Sequence, residues 1–252
     1  MVTGLSNITN GAFGIDNGSL KISVSTVKTG QGYVEELSQV VSAVLGTNSI
    51  NDLVIAGNDI YIGATSGKFL RFNTVTNSVT DLSNKISSFW GTIAINTLTY
   101  DSINKVVYLG GGTGGKFGRY NTPEYTGANL KYPASDTAYD LSSRFGLNSL
   151  FFFHDMIFDF KRDDIYATVY ESKGCGSIML LRYSPASDTA ISNINSCSNP
   201  CFPYPSACAA FSLAFDFDTD TIYAGGRGTW WGGLHTYSVT SELTAVVSRD
   251  RQ

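Results

Sequence analysis

The sequence predicts an all-β fold, a five-bladed β-propeller with four antiparallel strands per blade. Three observations point there. Charged residues make up only 15% of the 252-residue chain, while Gly (26), Tyr (14) and Phe (15) are plentiful. That mix suits short strands carrying aromatic side chains between glycine turns. Next, one unit recurs: an apolar strand, a turn bearing Asp, Asn or Lys, and a second strand entered as aliphatic-Tyr. It reads "LTYDSINKVVYLGG" (98–111), "MIFDFKRDDIYAT" (156–168) and "LAFDFDTDTIYAGG" (213–226), with a shorter copy "LVIAGNDIYIGA" (53–64) and a degenerate one, "FGIDNGSLKISVS" (13–25). Finally, the anchors Tyr61, Tyr108, Tyr166 and Tyr223 are 47, 58 and 57 residues apart, inside or near the period of propeller blades. All-β chains of this length commonly form one domain, and a core of that size needs no staples to fold.

Taken in order, the blades fall at about 1–49, 50–88, 89–146, 147–195 and 196–252 of a single domain. In the first, "GYVEELSQVVSAVLG" (32–46) places Val34, Leu37, Val40, Val41 and Val44 on what would be one helix face. Its position in the repeat asks for strands, so strands are expected. The second blade reads as "DLVIAG", "DIYIGAT", "KFLRFNT" and "NSVTDLS"; the fifth reads as "SLAFDF", "DTIYAGG", "GLHTYSV" and "SELTAVV". "DLS" recurs at 81–83 and 140–142, and "PASDTA" at 133–138 and 185–190. "FFFH" (151–154) reads as buried strand or packing between blades. The ring is expected to close by pairing the N-terminal segment with the final blade, or by apolar packing of those two blades.

Over roughly residues 50–247 the repeats follow the pattern D-x-x-x-x-x-[IV]-Y-x-G…G-x-[LF]-x-R-[FY]. In this they resemble the broad group of ligand-sensing and surface propellers. The resemblance implies a fold and not a function, because the pattern encodes strand-turn-strand geometry.

One stretch imitates a catalytic motif. "GGGTGGKFGRYNT" (110–122) carries Gly110, Gly115 and Lys116 at nearly the spacing of a phosphate-binding loop. Its counterpart "YIGATSGKFLRFNT" (61–74) keeps Gly67-Lys68-Phe69 but loses that spacing. Both copies place Phe where a nucleotide loop needs Ser or Thr for magnesium, and no helix pattern follows. The glycines are turn residues between strands.

Bulk properties exclude other classes. A net charge of −4 without a Lys/Arg run argues against nucleic acid as a partner. No apolar stretch approaches the roughly 20 residues that span a bilayer, so no membrane insertion is expected. The start, "MVTGLSNITNGAFG", has neither the basic nor the apolar region of a signal peptide. A mature chain, a truncated one, or a virion component released by lysis would each fit. Cys175, Cys197, Cys201 and Cys208 favour disulfides of open pairing, over zinc or free thiols, because only Cys197-x₃-Cys201 has zinc-ligand spacing. "NIT" (7–9) and "NGS" (17–19) match the glycosylation acceptor pattern at near-chance frequency.

The candidate sites are few. Trp230 and Trp231, in "GRGTWWGGLHTY" (226–237), fall between the second and third strands of the last blade. Paired indoles suit stacking on a sugar ring or insertion into a protein partner, and Arg227 and His235 flank them as polar contacts. His154 and Asp155 are expected just before the first strand of the fourth blade, beside a propeller's central channel. Asp101, Asp155 and Glu171 are the carboxylates that a propeller glycosidase would recruit, but no glycosidase motif surrounds them. Asp216, Asp218 and Asp220 alternate as in calcium loops, yet other repeats carry basic residues there, so a solvated hairpin turn is the better reading. No cofactor, metal or catalytic residue is expected. The function expected is an extracellular or virion-surface recognition or structural module, binding a glycan or a surface protein through its loops, with self-assembly possible on the same logic. A glycoside hydrolase or lyase at the channel and an architectural subunit of a capsid, sheath or cell coat are the alternatives.

Overall fold

The structure is a computed structural model that describes residues 11–16, 19–25, 32–36, 38–112, 114–126, 132–147, 151–171, 178–196, 209–227, 232–239 and 244–245; side chains are described over 40–112, 114–126, 132–147, 151–170, 180–191, 212–225 and 236–239. The chain forms two compact units, residues 1–95 and 96–252.

The first unit holds β1 (Gly11–Asp16), β2 (Ser19–Ser25) and β3 (Gly32–Glu36), then α1 (Ser38–Leu45). There follow β4 (Ile50–Ala56), β5 (Asp59–Ala64), β6 (Phe69–Asn73), β7 (Ser78–Asp81) and α2 (Ser83–Trp90). Strands β1–β2–β3 make one sheet and β4–β5–β6–β7 another, each in chain order. One expectation is corrected here. The first repeat shows three strands among the described residues, and residues 32–46 are not all strand: β3 gives way to the helix α1. Tertiary burial decides this, since three valines do nothing for helix propensity. Helical spacing lets α1 bury Val41 and Leu45 among Ile50, Ile60, Ile62, Leu70 and Phe72 of the β4–β7 sheet. The helix α2 has no counterpart in the expectation either. It buries Ile86 and Trp90, whose indole Nε1 donates to the Ile93 carbonyl at 2.8 Å. Gly67 lies so close to the end of α2 that an added Cβ would sit 2.3 Å from the Gly91 carbonyl oxygen.

In the second unit three four-stranded sheets follow one another. They are β8–β11 (Ile95–Asp101, Val106–Gly111, Phe117–Asn121, Thr137–Asp140), β12–β15 (Phe151–Asp159, Asp164–Glu171, Ile178–Ser184, Thr189–Ser196) and β16–β19 (Ala209–Asp216, Thr221–Arg227, Gly232–Ser238, Thr244–Ala245). All pairings are antiparallel between consecutive strands. Among the described residues each strand pairs only within its own repeat; residues 1–10, to which the expectation of ring closure refers, lie outside the described residues.

The repeated residues have repeated roles. Tyr61, Tyr108, Tyr166 and Tyr223 all lie on the second strand of their sheet, and the first three are buried. Opposite them on the third strand stand Arg71, Arg119 and Arg182. Diagonal neighbours on one face of a sheet come within reach of aromatic rings, and Tyr61 and Tyr108 stack on Phe69 and Phe117, both at 5.9 Å. The turn between first and second strands opens with an aspartate whose side chain replaces the missing backbone partner. Asp101 Oδ1 accepts the N–H groups of Ile103 and Asn104, Asp159 Oδ1 that of Lys161, and Asp216 Oδ1 those of Asp218 and Thr219. Each turn ends in a left-handed residue, Lys105, Asp163 or Asp220, with φ between 51° and 58°. Asx side chains tolerate that conformation best after glycine.

"PASDTA" is explained in the same way. Asp136 and Asp188 hold the left-handed position before the fourth strand and accept hydroxyls from the third, Tyr120 at 2.6 Å and Tyr183 at 2.7 Å. Arg144 and Tyr132 also donate to Asp188, so one buried carboxylate joins the third and fourth sheets. The 58-residue step between Tyr108 and Tyr166 contains the long connection 122–136. There the Arg119 guanidinium, 1% exposed, lies over the rings of Tyr125 and Tyr132, while Asn121 donates to the carbonyls of Tyr132 and Ala134.

Candidate functional site

The Gly-Lys-Phe copies are closed clasps rather than phosphate cradles. Lys68 Nζ lies 2.7 Å from Asp81 and Lys116 Nζ 3.9 Å from Asp140, the aspartates of the two "DLS" triplets. Each following phenylalanine N–H donates to the serine of the triplet, Phe69 to Ser83 and Phe117 to Ser142. Each serine N–H in turn donates to its aspartate. Although burial works against its charge, Asp81 is held below the usual carboxylate range by the bonds from Lys68 and Ser83. Gly110 faces side chains instead of a ligand: a Cβ there would lie 2.7 Å from both Phe153 Cβ and Thr97 Cγ2.

His154 and Asp155 lie inside the first strand of the fourth repeat, β12, and not before it as expected. The pairing register shifts between Phe153 and Asp155, and a bulge of this kind re-aims the side chain. Asp155 points at the next sheet. Its Oδ2 accepts the Leu213 N–H at 2.6 Å and its Oδ1 that of Met156 at 2.8 Å. Burial nevertheless raises its carboxyl above the ordinary range. One sheet earlier, Asn96 at the start of β8 donates to the Phe153 carbonyl at 3.0 Å. Adjacent places early in the first strand therefore tie successive sheets, and Asp155 has a fold role. His154 is half-buried, packs edge-on to Tyr170 at 6.0 Å, and is kept below the usual imidazole range by desolvation. Asp101 is fully buried and bound up in its turn. Phe153, from "FFFH", is fully buried, with Phe151 and Phe152 partly so.

The three turns of the second unit make one continuous edge. Asn104 Nδ2 donates to Asp101 and to Asp163, across two sheets. From the next turn, Arg162 grips Asp220 with two nitrogens at 3.2 and 2.9 Å and also reaches Asp159. Lys161 donates to the Phe217 carbonyl and to Asp220. Asp220 is lowered by its bonds from Arg162, and Asp216 by that from Thr219. Of the carboxylates that alternate as in a calcium loop, Asp216 is thus bound to turn donors and Asp220 to the neighbouring repeat. Set on this edge are side chains that the sequence reading missed. Phe160 is 47% exposed and contacts Phe217 at 4.4 Å, which contacts Phe215 at 4.4 Å, and Ile103 is 56% exposed. Their signal was available: an apolar residue just inside an Asp-led turn has no core to enter.

Trp230 and Trp231 lie between β17 and β18, outside the described residues, as do Cys175, Cys197, Cys201, Cys208 and the "NIT" triplet. Arg227 and His235 belong to β17 and β18, and Glu171 to β13, but their side chains are outside the description. No group of three or more potential metal ligands occurs among the described residues, and no helix among them is long and apolar enough to cross a membrane.

No protein-family model matches the chain, and no curated protein matches it. Solved structures do. The nidogen/laminin complex aligns with a TM-score of 0.58 at 8% identity, over 89% of this chain and 72% of that one. The β-propeller domain of Cps50 (Swd1) from Myceliophteria thermophila aligns at 0.55 and 11% identity, over 89% and 67%. Kuenenia stuttgartiensis hydrazine synthase follows at 0.51 and 8% identity, over 77% of this chain and 47% of that one. At such identities the likeness concerns fold alone, and that fold is the β-propeller.

Proposed function

We propose that this chain is a recognition module: a single propeller domain whose five sheets are its five blades, exposed outside the cell or on a virion, holding a glycan or a protein partner on its loops and turns. One observation carries the reading. On the turn edge Arg162 and Lys161 are bound to Asp220, whereas Phe160 and Ile103 stand exposed, Phe160 against the half-buried Phe217. An exposed aromatic side chain beside a rim of paired charges offers the apolar centre that interaction surfaces use. Trp230 and Trp231 belong to the same proposal as a second contact loop. That a propeller can engage a protein partner is illustrated by the nidogen/laminin complex, to whose structure this chain is similar.

The test is a binding screen of the intact protein on glycan arrays and host-cell surfaces, beside Phe160→Ser, Trp230→Ala and Trp231→Ala. Saturable binding abolished by one of these in a folded variant supports the reading and locates the contact. Binding unaffected by all three moves the surface elsewhere on the molecule. No saturable binding to any glycan or cell surface removes the recognition role.

A further inference from the structure

In the second unit, two carboxylates from neighbouring repeats share one amide. Asn104 Nδ2 donates to Asp101 Oδ2 at 2.7 Å and to Asp163 Oδ1 at 3.1 Å. Neither acid is free to swing away. Asp101 is 0% exposed and its Oδ1 already accepts two turn N–H groups. Asp163 holds the left-handed corner of its hairpin, at φ 55°. Around them stand Asp164 on the same hairpin, Arg119 on β10 and Tyr108 on β9. Asp164 is paired with Arg182 at 2.9 Å. Arg119 gives its Nε to Asn121 and its faces to Tyr125 and Tyr132, so it supplies a favourable field without an ion pair. Buried Tyr108 stays protonated, since burial raises its hydroxyl well above the ordinary value.

We propose that Asp101, Asn104 and Asp163 form a proton-operated clasp that holds the third and fourth sheets together more firmly in acid than at neutral pH. With both carboxylates ionised, two negative charges face one amide. One proton removes the repulsion. Burial first, and the charge of Asp101 next, push the Asp163 carboxyl up to about 6 from 3.8. A group raised in the folded state contributes stability that is complete below its unfolded value and is lost as pH rises through the folded one. The window here runs from about pH 4 to 6. Asp101 is raised as well, so the pair takes up its proton as a unit.

The experiment compares the full chain with Asp163→Asn, which tolerates the left-handed corner and keeps an acceptor for Asn104 but cannot ionise. Denaturant midpoints and hydrogen exchange over 101–105 and 159–163 are measured from pH 4.5 to 7.5. After discounting for partial exposure, the wild-type unfolding equilibrium is expected to shift roughly tenfold toward unfolding over that span. Asp163→Asn should match the wild type at pH 4.5 and lie above it at pH 7.5. Parallel pH profiles for the two proteins overturn the proposal. If the variant does not fold, carbon-detected NMR titration of the wild-type Asp163 carboxyl decides. A midpoint near 6 supports the clasp, and one at or below 4 overturns it.

Discussion

Replacing Asp155 by alanine tests whether this residue belongs to a reaction or to the fold. The carboxylate accepts the N–H of Leu213 from the next sheet at 2.6 Å and that of Met156 in its own strand at 2.8 Å. Both donors belong to buried residues, Leu213 at 8% exposure and Met156 at 3%. An alanine leaves both N–H groups without their acceptor, and a buried orphan donor costs about 1–3 kcal/mol. Bonds to an ionised acceptor are the stronger kind, but burial already disfavours this charge, so the two effects partly cancel. We expect a net loss of about 2–3 kcal/mol, equivalent to roughly 5–10 °C in thermal midpoint for a chain of this size. Because the chain forms two compact units, a global melt can mix two transitions. The sharper assay is hydrogen exchange at the Leu213 amide, where protection should fall about 30-fold or more. Unchanged protection at Leu213, together with an unchanged melt, would refute the tie between sheets and return Asp155 to the list of candidate catalytic groups.

Three further outcomes follow from the same geometry. Gly110→Ala drives a methyl group against Phe153 and Thr97 at 2.7 Å and should destabilise by about 1–3 kcal/mol, read by urea denaturation. Lys116→Ala should lower stability by no more than about 1 kcal/mol, because its pair with Asp140 is 3.9 Å long and part-exposed; nucleotide-dependent thermal stabilisation of the wild type, lost in this variant, would contradict the clasp. Asp188→Ala strips the acceptor from Tyr132, Tyr183 and Arg144 together and should cost about 3–5 kcal/mol, seen as loss of the cooperative unfolding of the second unit.

How much was legible in the sequence depends on how local the cause is. Strand-turn-strand units, tyrosine anchors and turn aspartates follow from alternation and from backbone conformations that few residues accept, so the chain alone determines the all-β repeat. Even the rejected phosphate loop was readable, since its second copy lacks the spacing. What Lys68, Lys116 and the "DLS" triplets do was not readable, because each lysine meets its aspartate across strands joined 13 or more residues away. "PASDTA" likewise stood out as a repeat, but its aspartates meet tyrosines only through sheet register. Residues 38–45 are the clearest case of tertiary decision: valines lean away from helix, and only the apolar face of the β4–β7 sheet makes the helical spacing of Val41 and Leu45 the better burial. The candidate site divides in the same way. The sequence marked Asp155 and His154 as available, and the bulge in β12 turned Asp155 toward Leu213. The exposed Phe160 meets Phe217 only because two hairpins from separate repeats end side by side, a proximity that tertiary packing alone creates.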